Sequence, residues 1–135
     1  MDNAVKVLVL LVENDVHIQA MVEEALLDGG FQPEVTASGE EAITSLQSDK
    51  SQYRAVVTDI NLGGKLKGWD VARAARENDP AMPVVYMTGT QGDDWASHGV
   101  PNSVLLTKPF APAQLLTALA NLLNAGSPIS PPTPG

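Results

Sequence analysis

The sequence contains no cysteine among its 135 residues. Disulfides and thiolate chemistry are therefore excluded, and zinc sites built on cysteine are not expected. Basic residues are also scarce, since 8 Lys and Arg stand against 16 Asp and Glu, which gives a formal net charge of −8. Nucleic acids and anionic membranes both bind basic surfaces, so neither is expected as a partner.

Long hydrophobic runs are absent as well. A membrane-spanning helix needs roughly 18 apolar residues, and no stretch of the sequence approaches that length. The apolar segment 5–12 (VKVLVLLV) has no small-residue cleavage site after it and continues directly into Glu13, so it is predicted to be a buried strand rather than a signal peptide. We therefore expect a soluble, cytoplasmic protein with one core, because the hydrophobic fraction is 44%.

Apolar strand patterns alternate five times with amphipathic helix patterns. Strands are predicted at residues 5–12, 31–36, 55–58, 83–87 and 104–106. Helices are predicted to begin after Asn14 or Asp15, at Ser38 (through about Leu46), and over residues 69–77, within 91–98 and over 112–123. This alternation predicts an α/β fold: a five-stranded, doubly wound parallel sheet of order 2-1-3-4-5 with helices on both faces, flavodoxin-like. The domain is predicted over residues 4–124, and a Pro/Ser/Gly-rich tail over 125–135.

Chemically distinctive residues follow four of the predicted strands. They are Glu13, Asn14 and Asp15 after the first strand, Asp59 after the third, Thr88 and Gly89 after the fourth, and Lys108 after the fifth. In an open parallel sheet these strand ends share one edge, where ligands bind. Strands lie about 4.8 Å apart, so Lys108 can reach Asp59 across two strands. The clustered carboxylate oxygens suit a hard divalent cation such as Mg²⁺.

Each of these residues taken alone has an ordinary structural interpretation. An aspartate followed by glycines, as at Asp59, is typical of a turn at a strand end. The cluster Glu13-Asn14-Asp15 is typical of a helix start, and Lys108 of a solvated surface. Only their combination at one predicted edge favours a functional site.

The segments LLVEND, VVTDINLGG, YMTGT and LLTKPF, in this order and spacing, resemble the receiver domain of two-component response regulators, and most closely its stand-alone type. The resemblance implies that Asp59 accepts a phosphoryl group from a histidine kinase or histidine phosphotransfer protein. It also implies assisting roles for Thr88 and Lys108, and a cis peptide bond before Pro109. The Mg²⁺ ligands that it implies are Glu13, Asn14, Asp59 and the backbone carbonyl of Asn61.

The activity that the resemblance implies is a phosphorylation-activated switch that signals to a protein target. Such a domain catalyses only its own phosphorylation and dephosphorylation, so no enzyme acting on a separate substrate is expected. A monomer or weak dimer is the expected state.

Two positions depart from the family pattern. Asn14 stands where a second acidic residue is usual, and Leu105 stands where a Tyr or Phe is usual. Both keep open a second interpretation, a pseudo-receiver that binds proteins with weak or no phosphotransfer. A small haloacid-dehalogenase-like phosphatase is a third, although it needs an aspartate where this chain has Asn61. Without an aromatic ring at 105, we expect phosphorylation to change the order of residues 89–98.

Overall fold

Strands and helices alternate along the computed structural model, which describes residues 6–48, 52–89 and 95–125. The strands are β1 (Val7–Val12), β2 (Phe31–Thr36), β3 (Ala55–Asp59), β4 (Val84–Thr88) and β5 (Val104–Thr107). The helices are α1 (Val16–Asp28), α2 (Gly39–Leu46), α3 (Gly68–Asn78), α4 (Trp95–His98) and α5 (Pro112–Ala125). All strand pairs are parallel in the order β2-β1-β3-β4-β5, which confirms the predicted fold class.

The predicted elements are all present, with ends that differ by up to two residues. The helix predicted within residues 91–98 is seen as α4, while residues 90–94 lie outside the described residues. The predicted tail also lies outside them beyond Ala125, and the predicted domain boundaries stay a prediction. Within the described ranges, no helix is both long enough and apolar enough to cross a membrane.

Two hydrophobic layers enclose the sheet because successive residues of a strand face opposite sides. On one side, Val9 and Leu11 of β1 lie in a core shared with α1 and α5. On the other side, Leu10 and Val12 lie in a core shared with α2 and α3. Every residue of β3 and β4 is buried, so these central strands hold their carboxyl ends in fixed positions.

Side-chain caps fix where the first two helices begin. Asp15 accepts hydrogen bonds from the backbone N–H groups of His17 (2.8 Å) and Ile18 (3.2 Å), which places α1 directly after β1. Ser38 caps α2 by accepting from the N–H of Glu41 at 3.1 Å, as predicted. The Glu41 carboxylate accepts from the N–H of Ala37, one residue before the cap, so the reciprocal bond of a capping box is shifted by one position.

Tyr53 is a buried phenol whose hydroxyl donates a hydrogen bond to Oε2 of Glu34. Burial, followed by the adjacent Glu34 carboxylate, raises the pKa of Tyr53 to about 12. An unfolded tyrosine ionises near pH 10. The stability that Tyr53 contributes is therefore fully present below pH 10 and declines as the pH rises toward 12.

We expect this shift to be visible in a Tyr86→Phe variant, in which Tyr53 is the one remaining tyrosine. Its ultraviolet absorbance at 295 nm should titrate with a midpoint near 12 in the native protein. The same variant unfolded in urea should titrate near 10 and serves as the reference. A native midpoint near 10 would show that Tyr53 is not held by Glu34 in a buried position.

Candidate functional site

The carboxyl ends of β1, β3, β4 and β5 bring Glu13, Asp59, Thr88 and Lys108 to one edge of the sheet. The backbone N–H of Lys108 donates to the carbonyl of Thr88 at 2.7 Å, which fixes the lysine beside the end of β4. The peptide bond that follows, Lys108–Pro109, is cis as expected. The lysine side chain passes the end of β4, so its Nζ lies 3.2 Å from Oδ2 of Asp59 and 3.0 Å from Oε1 of Glu13.

Glu13 is the most deeply buried member of this site, with no exposed surface. Its Oε1 accepts from Nζ of Lys108, and its Oε2 accepts from the backbone N–H of Asp15 at 3.0 Å. Burial raises the pKa of Glu13, and the hydrogen bonds from Asp15 and Lys108 oppose that shift. The bond between Glu13 and Lys108 was not foreseen, because nothing in the sequence shows that a lysine after β5 can reach β1.

Within the described residues, only one of the two carboxylate oxygens of Asp59 accepts a hydrogen bond. Its side chain is 11% exposed, and Oδ2 binds Lys108. Among the residues that the structure describes, no hydrogen bond involves its Oδ1. A buried carboxylate with one cation-bound oxygen and one remaining oxygen is suited to act as a nucleophile or as a ligand.

The backbone of Asp59 is packed against the start of α3 through Gly68. A Cβ atom at position 68 would lie 2.5 Å from the carbonyl oxygen of Asp59 and 3.1 Å from Cα of Ile60. The N–H of Gly68 also donates to the carbonyl of Ile60 at 2.9 Å. Gly68 is thus a site-forming residue that sequence reasoning missed, because a glycine before Trp69 looks like an ordinary helix start.

Thr88 is the last residue of β4 and is 2% exposed. It is paired in register with Thr107 of β5, and the same strand pair places Tyr86 beside Leu105. Leu105 packs against the core between the sheet and α2 and α3, so the position that the family usually gives to an aromatic side chain is here aliphatic and partly buried.

The two asparagines expected at the site are exposed. Nδ2 of Asn14 lies 3.0 Å from the position that a Cβ at residue 63 would take, and Gly63 has a φ of +80°. The loop after β3 therefore approaches Asn14 closely because residue 63 is a glycine. The neighbouring Asp15 carboxylate caps α1 through its Oδ1.

The oxygen donors at this edge suit a small, hard cation such as Mg²⁺. Among the expected ligands, the structure places the carboxylates of Glu13 and Asp59 there, both bound to Nζ of Lys108. Across residues 6–48, 52–89 and 95–125, no cluster of three or more His, Cys, Asp or Glu side chains could hold a metal ion. Carboxylate oxygens are nonetheless the donor type that Mg²⁺ prefers, and the two carboxylates with one lysine leave a formal charge of −1 at this edge.

Comparisons with known proteins agree with this geometry. The family model described as "Response regulator receiver domain" matches residues 9–120. The transcriptional regulatory protein TcrA of Mycobacterium tuberculosis is 31% identical over 127 residues, which cover 93% of this chain and 49% of that protein. The chain spans about half the length of the curated relatives it matches.

Two solved structures resemble the chain closely. A response regulator receiver protein from Sinorhizobium medicae WSM419 is 44% identical, with a TM-score of 0.88 and coverage of 90% of this chain and 98% of that one. The receiver domain of a sensor histidine kinase from Pseudomonas aeruginosa PAO1 is 28% identical, with a TM-score of 0.75 and coverage of 89% and 99%. That structure is described with a magnesium ion coordinated in the active site cleft.

Proposed function

The chain belongs to the response regulator receiver family, and we propose on that premise that it is a signalling switch phosphorylated on Asp59. The donor would be the phosphohistidine of a histidine kinase or a histidine phosphotransfer protein. The observation that carries the proposal is the arrangement of Asp59, with Oδ2 bound to Lys108 and Oδ1 at the ligand-binding edge of the sheet. The downstream partner is proposed to be a protein, because a net charge of −8 disfavours nucleic acid.

The chemical step forms one bond and breaks one bond. Oδ1 of Asp59 attacks the phosphorus atom, the P–N bond of the phosphohistidine breaks, and its electron pair returns to the imidazole of the donor. Lys108 is already 3.2 Å from Asp59 and can pair with the phosphoryl oxygens as negative charge accumulates there. The Thr88 hydroxyl, at the neighbouring strand end, would donate to the same oxygens.

Mg²⁺ held by Glu13, Asn14, Asp59 and the carbonyl of Asn61 would offset the charge of the incoming phosphoryl group. Since both oxygens of Glu13 are hydrogen-bonded in the structure, its contribution to a cation is electrostatic unless Lys108 moves. We also propose a cytoplasmic location.

Incubation of the purified chain with acetyl phosphate, followed by intact-mass analysis, tests this proposal. We expect the mass of one phosphoryl group to be added when Mg²⁺ is present, and much less addition in EDTA. The absence of labelling by acetyl phosphate and by a panel of purified histidine kinases would instead support the second candidate, a pseudo-receiver. That candidate is favoured by Asn14, which supplies no charge. Because the chain belongs to the receiver family, the interpretation as a haloacid-dehalogenase-like phosphatase is set aside.

Asn14→Asp is expected to tighten Mg²⁺ binding. The variant adds a carboxylate next to the loop that contains Gly63, and a unit-charge pair at about 4 Å is worth about 4 kcal/mol at an effective dielectric of 20 before desolvation. Desolvation and repulsion by Asp59 cancel most of that, so we expect a gain of about fivefold to tenfold in affinity, or roughly 1 kcal/mol. Isothermal titration calorimetry measures it.

The matched control for this change is Asn121→Asp, which adds the same charge on the exposed surface of α5. Its Mg²⁺ affinity should equal that of the unmodified protein. If both variants gain equally, the effect is nonspecific, and if Asn14→Asp gains nothing, Asn14 does not face the cation.

A further inference from the structure

Tyr86 connects the interior of the sheet to the segment between α4 and β5. Its side chain is fully buried in β4, two residues before Thr88 on the same face of the strand. Its hydroxyl accepts a hydrogen bond of 3.1 Å from the backbone N–H of Val100, which lies after α4. One tyrosine therefore joins β4, which ends beside the candidate phosphorylation site, to a surface segment fourteen residues further along the chain.

The segment that Tyr86 contacts is closed by its own hydrogen bonds. The Ser103 hydroxyl donates to the carbonyl of Val100 at 2.6 Å and accepts from the indole N–H of Trp95 at 3.0 Å. The N–H of Gly99 donates to the carbonyl of Trp95 at 2.8 Å. Residues 95–103, which we name the α4 segment, thus hold together as a unit, and the bond to the Tyr86 hydroxyl anchors that unit to β4.

A second set of contacts joins the α4 segment to α3. The rings of Trp69 and Tyr86 pack edge to face with centroids 4.7 Å apart, and the rings of Trp69 and His98 stack with centroids 5.8 Å apart. Edge-to-face aromatic pairs add about 0.5–1.5 kcal/mol beyond the area that they bury. The α4 segment therefore rests on two aromatic side chains, one from α3 and one from β4.

The register of the sheet places Tyr86 beside Leu105, so the two side chains occupy neighbouring positions on one face. We propose that Tyr86 is the positioning residue through which the phosphorylation site controls the α4 segment, with its hydroxyl holding Val100. Leu105 stands where an aromatic side chain is usual, and Tyr86 provides an aromatic side chain at the neighbouring position on β4. This inference rests on the proposed function, since it requires a phosphoryl group on Asp59 to alter the end of β4.

Tyr86→Phe tests the proposal because it keeps the ring that packs on Trp69 and removes only the hydroxyl. Tyr53→Phe is the matched control, since it removes the hydroxyl of the other buried tyrosine, which binds Glu34 on the β2 side of the sheet. Amide hydrogen exchange at Val100 should be at least tenfold faster in Tyr86→Phe than in the unmodified protein. The control should leave Val100 unchanged.

The response to a phosphoryl mimic separates coupling from a merely structural role. Both tryptophans of the chain pack in the same core cluster as Tyr86. Their fluorescence and the amide hydrogen exchange of residues 95–103 therefore report on the α4 segment. Beryllofluoride with Mg²⁺ should change both signals in the unmodified protein and in Tyr53→Phe. In Tyr86→Phe we expect beryllofluoride still to bind Asp59 while the response of the α4 segment, measured at saturating beryllofluoride, falls at least threefold.

Three results would overturn parts of the proposal. Unchanged exchange at Val100 in Tyr86→Phe would remove the anchor itself. Faster exchange at Val100 in Tyr86→Phe, together with a full response of the α4 segment to beryllofluoride, would overturn the coupling. Ser103→Ala is a second variant that loosens the α4 segment at its other end, and the same result in that variant would support the same conclusion. If the unmodified protein bound no beryllofluoride, the proposed function and the coupling would both fail, while the exchange rate at Val100 would still decide the anchor.

Discussion

Replacement of Asp59 by asparagine is expected to abolish phosphorylation, with no phosphoryl group detected by intact-mass analysis after acetyl phosphate treatment. An amide oxygen is a poor nucleophile and cannot form the aspartyl phosphate. Asp59 is also the aspartate whose Oδ2 binds Lys108 at the carboxyl edge of the sheet. The unmodified protein should gain a single phosphoryl group under the same conditions.

Asp59→Asn should remain folded, which makes the loss of labelling interpretable. The asparagine has nearly the same volume, its amide oxygen can still accept from Lys108, and the repulsion between Asp59 and Glu13 disappears. We expect the free energy of unfolding to change by less than about 1 kcal/mol. Asp28→Asn, at the exposed end of α1, is the control and should label fully. Equal labelling of both variants would place the phosphorylated residue elsewhere.

The fold could be predicted from the sequence because each element carries a local signal. The unbroken apolar runs that form strands and the caps at Asp15 and Ser38 depend only on neighbouring residues. The strand order was predicted as the common order of open parallel sheets rather than from any local signal. The predicted ends of the helices and strands moved by up to two residues, since fraying and capping decide them.

The site could be predicted only in part. The sequence indicated which residues stand at the strand ends, and the structure places Nζ of Lys108 3.0 Å from Oε1 of Glu13 and 3.2 Å from Oδ2 of Asp59. The bond from Lys108 to Glu13 and the packing of Gly68 on Asp59 depend on contacts between residues far apart in sequence. No local pattern encodes such contacts. The same holds for Tyr86 and Val100.

Lys108→Met should both impair phosphotransfer and destabilise the protein. The variant keeps an unbranched, apolar side chain of similar length but leaves Glu13, which has no exposed surface, and Asp59 without their shared cation. Removing one partner from a buried ion pair typically costs about 3–5 kcal/mol, and since the lysine side chain is 18% exposed we expect about 2–3 kcal/mol at pH 7. Urea unfolding in EDTA measures this cost without any contribution from a bound cation.

The stability lost in Lys108→Met should depend on pH, and the direction of this dependence follows from the pKa of Glu13. Burial raises the pKa of Glu13 above its ordinary value, so the folded protein holds that proton more tightly than the unfolded chain does. The corresponding stability is fully present below the unfolded pKa and is lost as the pH rises through the folded pKa. Because the hydrogen bond and charge of Lys108 lower the pKa of Glu13, their removal raises it further. Lys108→Met should therefore lose more stability between pH 5 and pH 7 than the unmodified protein.

A second substitution shows whether the uncompensated carboxylate causes this loss. Glu13→Gln in the Lys108→Met background removes the buried charge, so at pH 7 the double variant should recover most of the lost stability and should no longer show the added pH dependence. Lys65→Met, on the exposed loop after β3, is the control and should change stability by less than about 0.5 kcal/mol. A loss in Lys108→Met that is equal at pH 5 and pH 7, and that Glu13→Gln does not relieve, would mean that the lysine acts through packing of its methylene groups rather than by neutralising Glu13 and Asp59.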